Sequence, residues 1–462
     1  MEIGHVADTL NYECYVVGGF VRDLILNRDN DDIDVVVVGK GTLMAAAYVD
    51  YLRDKGIKAK YSLFENFGTA QVTFVTKDIR KIEVEFVGAR KESYERGSRK
   101  PIVEEGTLRD DQLRRDFTIN AMAICLNKSR FGELVDPFNG VEDLKNGIIR
   151  TPVEPDITFS DDPLRQLRAV RFAAKLGFYI DVDTFDGIKR NADRLSIISE
   201  ERIATELMKI LASDNPSFGI HQLLDANLLD KFLPEVAKLD TDGRTDKITH
   251  GHKNIFGHTL EVLSNVANKT DNVWVRLAAL LHDIGKIPTR KYVPGEGYTF
   301  MGHETVGANM VDVIFRRLKL PLDEHLVLVH NLVKLHMRPQ SIASEGVTDS
   351  AVRRLVFDAD GHIDDLIILA EADITTGKAW KKEKFIQQYV ELKKRIEELK
   401  QADFVRTFQP CVSGTDIMER YGLSPSKKVG ELKQIIKDAV LDGTVENTPE
   451  KLYEILDKEM SR

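Results

Sequence analysis

The chain has 462 residues, 42% of them hydrophobic and 30% charged, with 65 Lys and Arg against 74 Asp and Glu for a net charge of −9. That length exceeds a single hydrophobic core and predicts two to four domains, while the acidic balance argues against a protein that coats nucleic acid through bulk charge. No apolar run approaches the roughly 18 residues of a bilayer span, residues 1–20 lack a basic leader, and Cys14, Cys125 and Cys411 are too scattered for a disulfide framework, so a cytoplasmic protein with no membrane partner is expected.

In chain order, the stretch 15–90 carries short β-branched runs, "CYVVGG", "IDVVVV", "AQVTFV" and "IEVEFV", with one helical stretch over 43–55, which predicts a mixed sheet domain. Residues 91–107 show neither periodicity and are expected to form a long loop. Past Pro152 the spacing becomes helical in "DPLRQLRAVRFAAKLGF" and "SEERIATELMKILAS", the second with Ser199 as N-cap and Glu200 and Glu201 in its first turn. A loop, "LDTDGRTDKITHGH", marks a boundary near Leu239. Eight of the eleven histidines then fall between His250 and His336, inside a helical region of about 245–380. A charged helix over 381–401 leads to a final pair of helices. The predicted fold class is α+β: a sheet-containing head at 1–150, a helical neck at 151–239, a helical histidine-rich domain at 240–380 and a helical tail at 381–462.

Two clusters carry chemistry. Gly18 and Gly19 separate a strand from a helix, a turn whose backbone amides can hold phosphate oxygens. In "DDIDVVVV", Asp32 and Asp34 share one face of a strand buried behind them, a geometry that clamps hard divalent cations. Glu83 and Glu85 share a face in the same way, and Glu85 is the preferred third carboxylate.

"GGFVRD", "DDIDVVV", "RRDFTINAMA", "DDPLRQLRAVRF" and "ISEERIATEL" occur in this order over residues 12–240, and together they resemble the class II tRNA nucleotidyltransferase and bacterial poly(A) polymerase family. The resemblance implies that Asp32 and Asp34 hold two Mg2+ ions. It implies that Gly18, Gly19 and Arg22 bind phosphates, and that Arg114, Arg115 and Asp116 contact the nucleotide, with Asp116 accepting from the ribose 2′-hydroxyl. The resemblance assigns base reading to Asp162 and Arg165, while Asp161 stands where the family usually has Glu; Arg168 belongs to the same nucleotide-binding string. CTP and ATP share an exocyclic amine beside a ring-nitrogen acceptor, so a carboxylate and an arginine admit both and reject UTP and GTP without a template. The implied reaction adds CCA to the tRNA 3′ end, with RNA contacts in the tail. Poly(A) addition is the rival, and "KYSLFENFGTAQVTF" shows no Arg-Arg-Phe string of that branch.

His258, His282 with Asp283, and Asp373 follow the order and spacing of the HD phosphohydrolase superfamily, which implies a divalent transition metal and phosphoester hydrolysis, with Lys286 steadying a phosphate. His303, Glu304, His330 and His336 lie where related proteins hold a second metal or contact phosphate. A signalling phosphohydrolase dominated by this domain is the alternative reading of the whole chain.

Overall fold

The computed structural model describes residues 1–64, 68–76, 80–93, 102–240, 254–295, 297–345, 348–376, 378–402 and 410–461. It divides into two compact units, Met1–Phe232 and Leu233–Arg462.

The first unit opens with a helix, Glu2–Thr9, and then builds strands β1 (Glu13–Val17), β2 (Asp32–Val38), β3 (Ala59–Phe64), β4 (Thr69–Val75) and β5 (Lys81–Gly88), followed by β6 (Arg90–Ser93), β7 (Ile102–Glu105), β8 (Ala123–Cys125) and β9 (Leu134–Val135). Seven of these form one sheet in the order β3-β4-β5-β2-β1-β8-β9, with β2 and β5 parallel. The run 35–37 is buried on both faces, as a central strand requires. Val35 and Val37 pack with Met44, Tyr48 and Leu52 of helix Gly41–Asp54, whereas Val36 packs with Tyr15, Val17 and Ala123 on the opposite face. Strand alternation puts Asp32 and Asp34 on that opposite face, away from helix Gly41–Asp54.

The expected loop at 91–107 is corrected: β6 and β7 pair antiparallel, from Arg90 opposite Glu105 to Ser93 opposite Ile102. The extended ends of this stretch satisfy each other's backbone groups, a pairing that a charged sequence without alternation does not advertise; residues 94–101 lie outside the described residues. Beyond the sheet, helix Leu164–Leu176 buries Leu167, Val170 and Ala173 and packs on helix Glu200–Leu211. Gly177, at φ +72°, ends the first of these helices in the left-handed conformation. Ser199 stands at the expected N-cap of the second, but its side chain makes no capping bond.

Among the described residues, the second unit is helical apart from a small hairpin, Lys291–Val293 with Gly297–Thr299. Histidines sit on helices Ile255–Ala267, His303–Arg317 and Glu324–Leu335 and, as His282 and His336, at the C-caps of Val273–Leu281 and Glu324–Leu335. The long helix Ala379–Ala402 follows the expected 381–401. The tail then contains three helices rather than a pair, Gly414–Tyr421, Lys427–Leu441 and Pro449–Met460, around Ile417, Leu432, Ile436, Leu452 and Leu456. Gly422, in the left-handed conformation, separates the first two. The loop expected around residues 239–252 falls largely at 241–253, outside the described residues. No helix among the described residues is long and apolar enough to cross a membrane.

Candidate active site and candidate metal centre

The parallel register of β2 and β5 sets Asp32 opposite Glu83 and Asp34 opposite Glu85. Asp32, Asp34 and Glu85 line a cavity of about 460 Å³ together with Arg90, Arg114 and Arg115. Glu83 is engaged elsewhere, paired with Lys81 and accepting from Gln71 Nε2 at 3.2 Å. Burial and the charge of Asp32 push the Asp34 carboxyl up to about 6, against the pull of Arg115. Burial and Asp32 also raise Glu85. Asp32 thus opposes the ionisation of both neighbours, an electrostatic arrangement that a divalent cation would relieve.

Gly18 adopts φ +72°, and a Cβ there would stand 3.0 Å from Arg115 Nη1 and 3.6 Å from Asp34 Oδ2. A side chain at this position would crowd the carboxylates, so the turn leaves bare backbone facing the cavity. Gly19 opens helix Gly19–Ile25.

Arg22 lies elsewhere than on the cavity wall. It is buried, with Nε donating to Asp23 Oδ1 at 2.8 Å and Nη1 donating to Asn120 Oδ1 at 2.8 Å. Arg22 forms a strut between the glycine turn and the segment after Asp116 in this structure. Arg114 and Arg115 do reach the cavity, and both are held by Asp111, a fully buried carboxylate that the sequence reading passed over. Arg115 Nε donates to Asp111 Oδ2 at 3.0 Å, and Arg114 Nε to Oδ1 at 3.1 Å. Burial would raise Asp111, but the two guanidiniums hold it low. Its position three and four residues before the arginines, on helix Leu108–Leu113, was the available clue.

Asp116 is also buried, and both of its oxygens are bonded. Oδ1 accepts from Phe117 N at 2.9 Å and Asn120 Nδ2 at 3.0 Å, and Oδ2 accepts from Arg168 Nη2 at 2.6 Å. Burial opposes its charge, yet Arg168 and Asn120 hold its pKa at about 2. The expected ribose contact of Asp116 is thus not open in this structure; the carboxylate instead orients Arg168. Phe172 supports the same cluster, its ring lying beneath the guanidiniums of Arg22, Arg168 and Arg171.

Asp162 and Arg165 stand together at the start of helix Leu164–Leu176. Asp162 Oδ1 accepts from Leu164 N at 3.2 Å, and Oδ2 lies 3.1 Å from Arg202 Nη2. Arg165 is buried, donating through Nη1 to the Thr158 carbonyl at 3.3 Å and through Nη2 to the Arg114 carbonyl at 2.5 Å. These bonds leave three of its five N–H donors for another partner. Asp161 ends the preceding helix, Pro155–Asp161.

In the second unit, Asp283 is the hub. Its Oδ2 lies 3.2 Å from His282 Nε2, 3.6 Å from His258 Nε2 and 2.6 Å from Lys286 Nζ, while Oδ1 faces His303 Nε2 at 3.5 Å and His336 Nε2 at 4.0 Å. Asp373 Oδ1 accepts from His258 Nε2 at 2.9 Å. His282, His303 and His336 each place Nδ1 against a backbone carbonyl, of Ala279, Phe300 and Val333, at 2.8, 2.9 and 2.6 Å. A neutral ring that donates from Nδ1 presents its Nε2 lone pair to the shared centre, the arrangement that prepares histidines for a cation. His282 Nε2 and Asp283 Oδ1 are buried with no hydrogen-bond partner, and a cation would satisfy both. Burial and neighbouring His282 lower His336 to about 4, which keeps it neutral and able to ligate. His303 and His336 thus join the centre, whereas His330 turns to Asp312 at 2.9 Å.

Comparison with known proteins follows the same division. Residues 14–150 match the poly A polymerase head domain, 177–239 the family described as "Probable RNA and SrmB- binding site of polymerase A", and 255–376 the HD domain. An A-adding tRNA nucleotidyltransferase of Deinococcus radiodurans is 32% identical over 354 residues, 74% of this chain and 77% of that one. A multifunctional CCA protein of Tolumonas auensis is 32% identical over 345 residues, 71% of this chain and 78% of that one. An A-adding tRNA nucleotidyltransferase of Geobacter sulfurreducens is 38% identical over 238 residues, which are 51% of this chain and 26% of the relative's length. A solved CCA-adding enzyme in an apo form shares the fold with a TM-score of 0.64 at 25% identity, across 99% of this chain and 94% of that one. With two relatives above 30% identity of which it covers more than two thirds, the chain belongs to the tRNA nucleotidyltransferase and poly(A) polymerase family and carries an HD domain in its second half.

Proposed function

We propose that the chain adds CCA to tRNA 3′ ends from CTP and ATP without a nucleic-acid template. The observation that supports this reading is that Asp32, Asp34 and Glu85 line one cavity together with Arg114 and Arg115. Hard carboxylate oxygens suit magnesium, with Asp32 and Asp34 as its holders. When bound, that magnesium supplies charge neutralisation for in-line attack of the RNA 3′-hydroxyl and departure of diphosphate.

The chain's own residues do the rest. The Gly18 turn lets phosphate oxygens approach backbone, and Arg115, braced with Arg114 by Asp111, stands beside that turn to receive them. Asp116 fixes Arg168 through a buried ion pair. Asp162 accepts from the exocyclic amine of cytosine or adenine, and Arg165 donates to the neighbouring ring nitrogen. Uracil and guanine meet an acceptor with an acceptor and a donor with a donor, an unpaired arrangement that costs more than a lost methylene contact would.

In the HD domain, the imidazole-rich donor set suits a divalent transition metal held by His258, His282, Asp283 and Asp373, with His303 and His336 on the other Asp283 oxygen. Phosphoester hydrolysis at RNA ends is the activity this centre supports, Lys286 steadying phosphate beside Asp283. The helical tail of residues 381–462 offers an RNA-binding surface. Free Cys14 and Cys125, both buried, accord with a reducing cytoplasm.

A second reading is addition of the terminal A alone, favoured by the A-adding relative of Deinococcus radiodurans. Incubation with tRNA ending at the discriminator base, and separately with tRNA ending in CC, followed by 3′-end sequencing, decides between them. Ordered CCA on the first substrate supports the proposal; extension of the second alone supports A addition.

A further inference from the structure

The HD match ends at residue 376, but the helix that follows it reaches back to the metal centre. Ion pairs tie helix Ala379–Ala402 antiparallel to helix Ile363–Ala372: Lys400 Nζ lies 4.0 Å from Asp364 Oδ1, and Lys393 pairs with Glu371. The two lysines are as far apart in sequence as the two acids, so the rungs run in step along both helices. One turn further toward the start of the long helix, this register carries Tyr389 toward the Asp373 end, where the Asp373 and Glu371 carboxylates act on its phenol; Asp373 and Thr375 share a neighbour. Those two residues are the partners of His258, through Nε2 at 2.9 Å and Nδ1 at 2.8 Å.

Tyr389 is 1% exposed, and its hydroxyl is buried with no hydrogen-bond partner. Burial, then Asp373 and Glu371, push the phenol's pKa upward, which agrees with its position beside those carboxylates. A buried hydroxyl without a partner costs about 1–3 kcal/mol, and native interiors keep few of them. Phenylalanine would fill the same space without that cost. The hydroxyl therefore has a use that the polypeptide alone does not meet.

We propose that Tyr389 is a positioning residue of the histidine-aspartate centre: its hydroxyl donates to the Asp373 side of the centre when a divalent cation is bound, so a helix outside the HD domain completes the site. The inference rests on reading that centre as a cation site. The paired Lys393–Glu371 and Lys400–Asp364 contacts hold the helix, and the phenol delivers the donor.

The test uses the full chain carrying Asp32→Asn and Asp34→Asn, so that the head carboxylates do not compete, and titrates it with Co2+ under metal-free buffer conditions. Three proteins are compared: this parent, the parent with Tyr389→Phe, and the parent with Asp283→Asn. The parent is expected to bind, Asp283→Asn to lose binding, and Tyr389→Phe to bind about tenfold more weakly, as for loss of other groups that orient metal ligands. In excess chelator, the melting temperature of Tyr389→Phe should equal or exceed that of the parent, because an unsatisfied hydroxyl has been removed. Binding by Tyr389→Phe within twofold of the parent, with Asp283→Asn inactive, overturns the role of Tyr389 alone. A lower melting temperature for Tyr389→Phe in chelator overturns it too, since the hydroxyl then has a partner within the protein. A parent that binds no Co2+ overturns both this inference and the cation reading beneath it.

Discussion

Arg202 Nη2 lies 3.1 Å from Asp162 Oδ2, so the carboxylate assigned to base reading is anchored from a second helix, Glu200–Leu211, while its other oxygen caps Leu164 N. Asp162→Ala and Arg165→Ala should each raise incorporation of UTP and GTP relative to CTP and ATP by about tenfold, a loss of discrimination near 1.4 kcal/mol. Arg202→Ala should move the same ratio in the same direction by less, because the Leu164 bond still orients Asp162. Single-nucleotide incorporation with each of the four triphosphates measures this, and unchanged ratios in all three variants would contradict the assignment.

The Asp34 carboxyl, raised to about 6 by burial and Asp32 from 3.8, gives a pH signature. Between about pH 4 and pH 6 the metal-free folded chain binds more protons here than the unfolded chain, so this group lowers stability as pH rises through that window. Asp34→Asn removes the effect. In chelator near pH 7 the variant should melt above the parent, with the difference closing as pH falls toward about 4. A variant that melts below the parent near pH 7 would show that the ionised carboxylate is well accommodated without a cation.

Arg168 neutralises buried Asp116 from a side chain that is itself one-third exposed. Arg168→Ala leaves the carboxylate without its countercharge and should cost about 3 kcal/mol of unfolding free energy, read from denaturant melts. Because the Asp116 pKa is depressed to about 2, this contribution is present above its ordinary value of 3.8 and is lost as pH falls through about 2. Parent and variant should therefore converge in strong acid.

The two chemical centres lie in separate units and should be separable by substitution. Asp283→Asn keeps side-chain size but removes the charge shared by four histidines, and should abolish metal-dependent phosphohydrolysis of RNA ends. Nucleotide addition to tRNA by the same protein should stay within about twofold of the parent. Retention of full phosphohydrolase activity would place that chemistry elsewhere.

Local periodicity made much of this legible. Asp32 and Asp34 share a face because strands alternate, and the helical runs at 164–176 and 200–211 follow from three- and four-residue spacing. What local pattern cannot show is who sits across from whom. Asp111 is one acid among several in "RDDQLRRD", and only burial reveals it as the brace of Arg114 and Arg115. Arg22 carries a phosphate-binding expectation until Asp23 and Asn120 are seen to occupy its guanidinium. The β6–β7 pairing escaped because its strands are short and charged, and the Tyr389 position became visible only through the register of two helices.

Untemplated extension of an RNA end should depend on the acidic oxygens of β2. Its most direct measurement is 3′-end sequencing of tRNA lacking its last three nucleotides after incubation with CTP, ATP and Mg2+, comparing the parent with the Asp32→Asn/Asp34→Asn double variant. The account predicts ordered CCA from the parent and no extension from the double variant at equal tRNA binding. Undiminished extension by the double variant would contradict it.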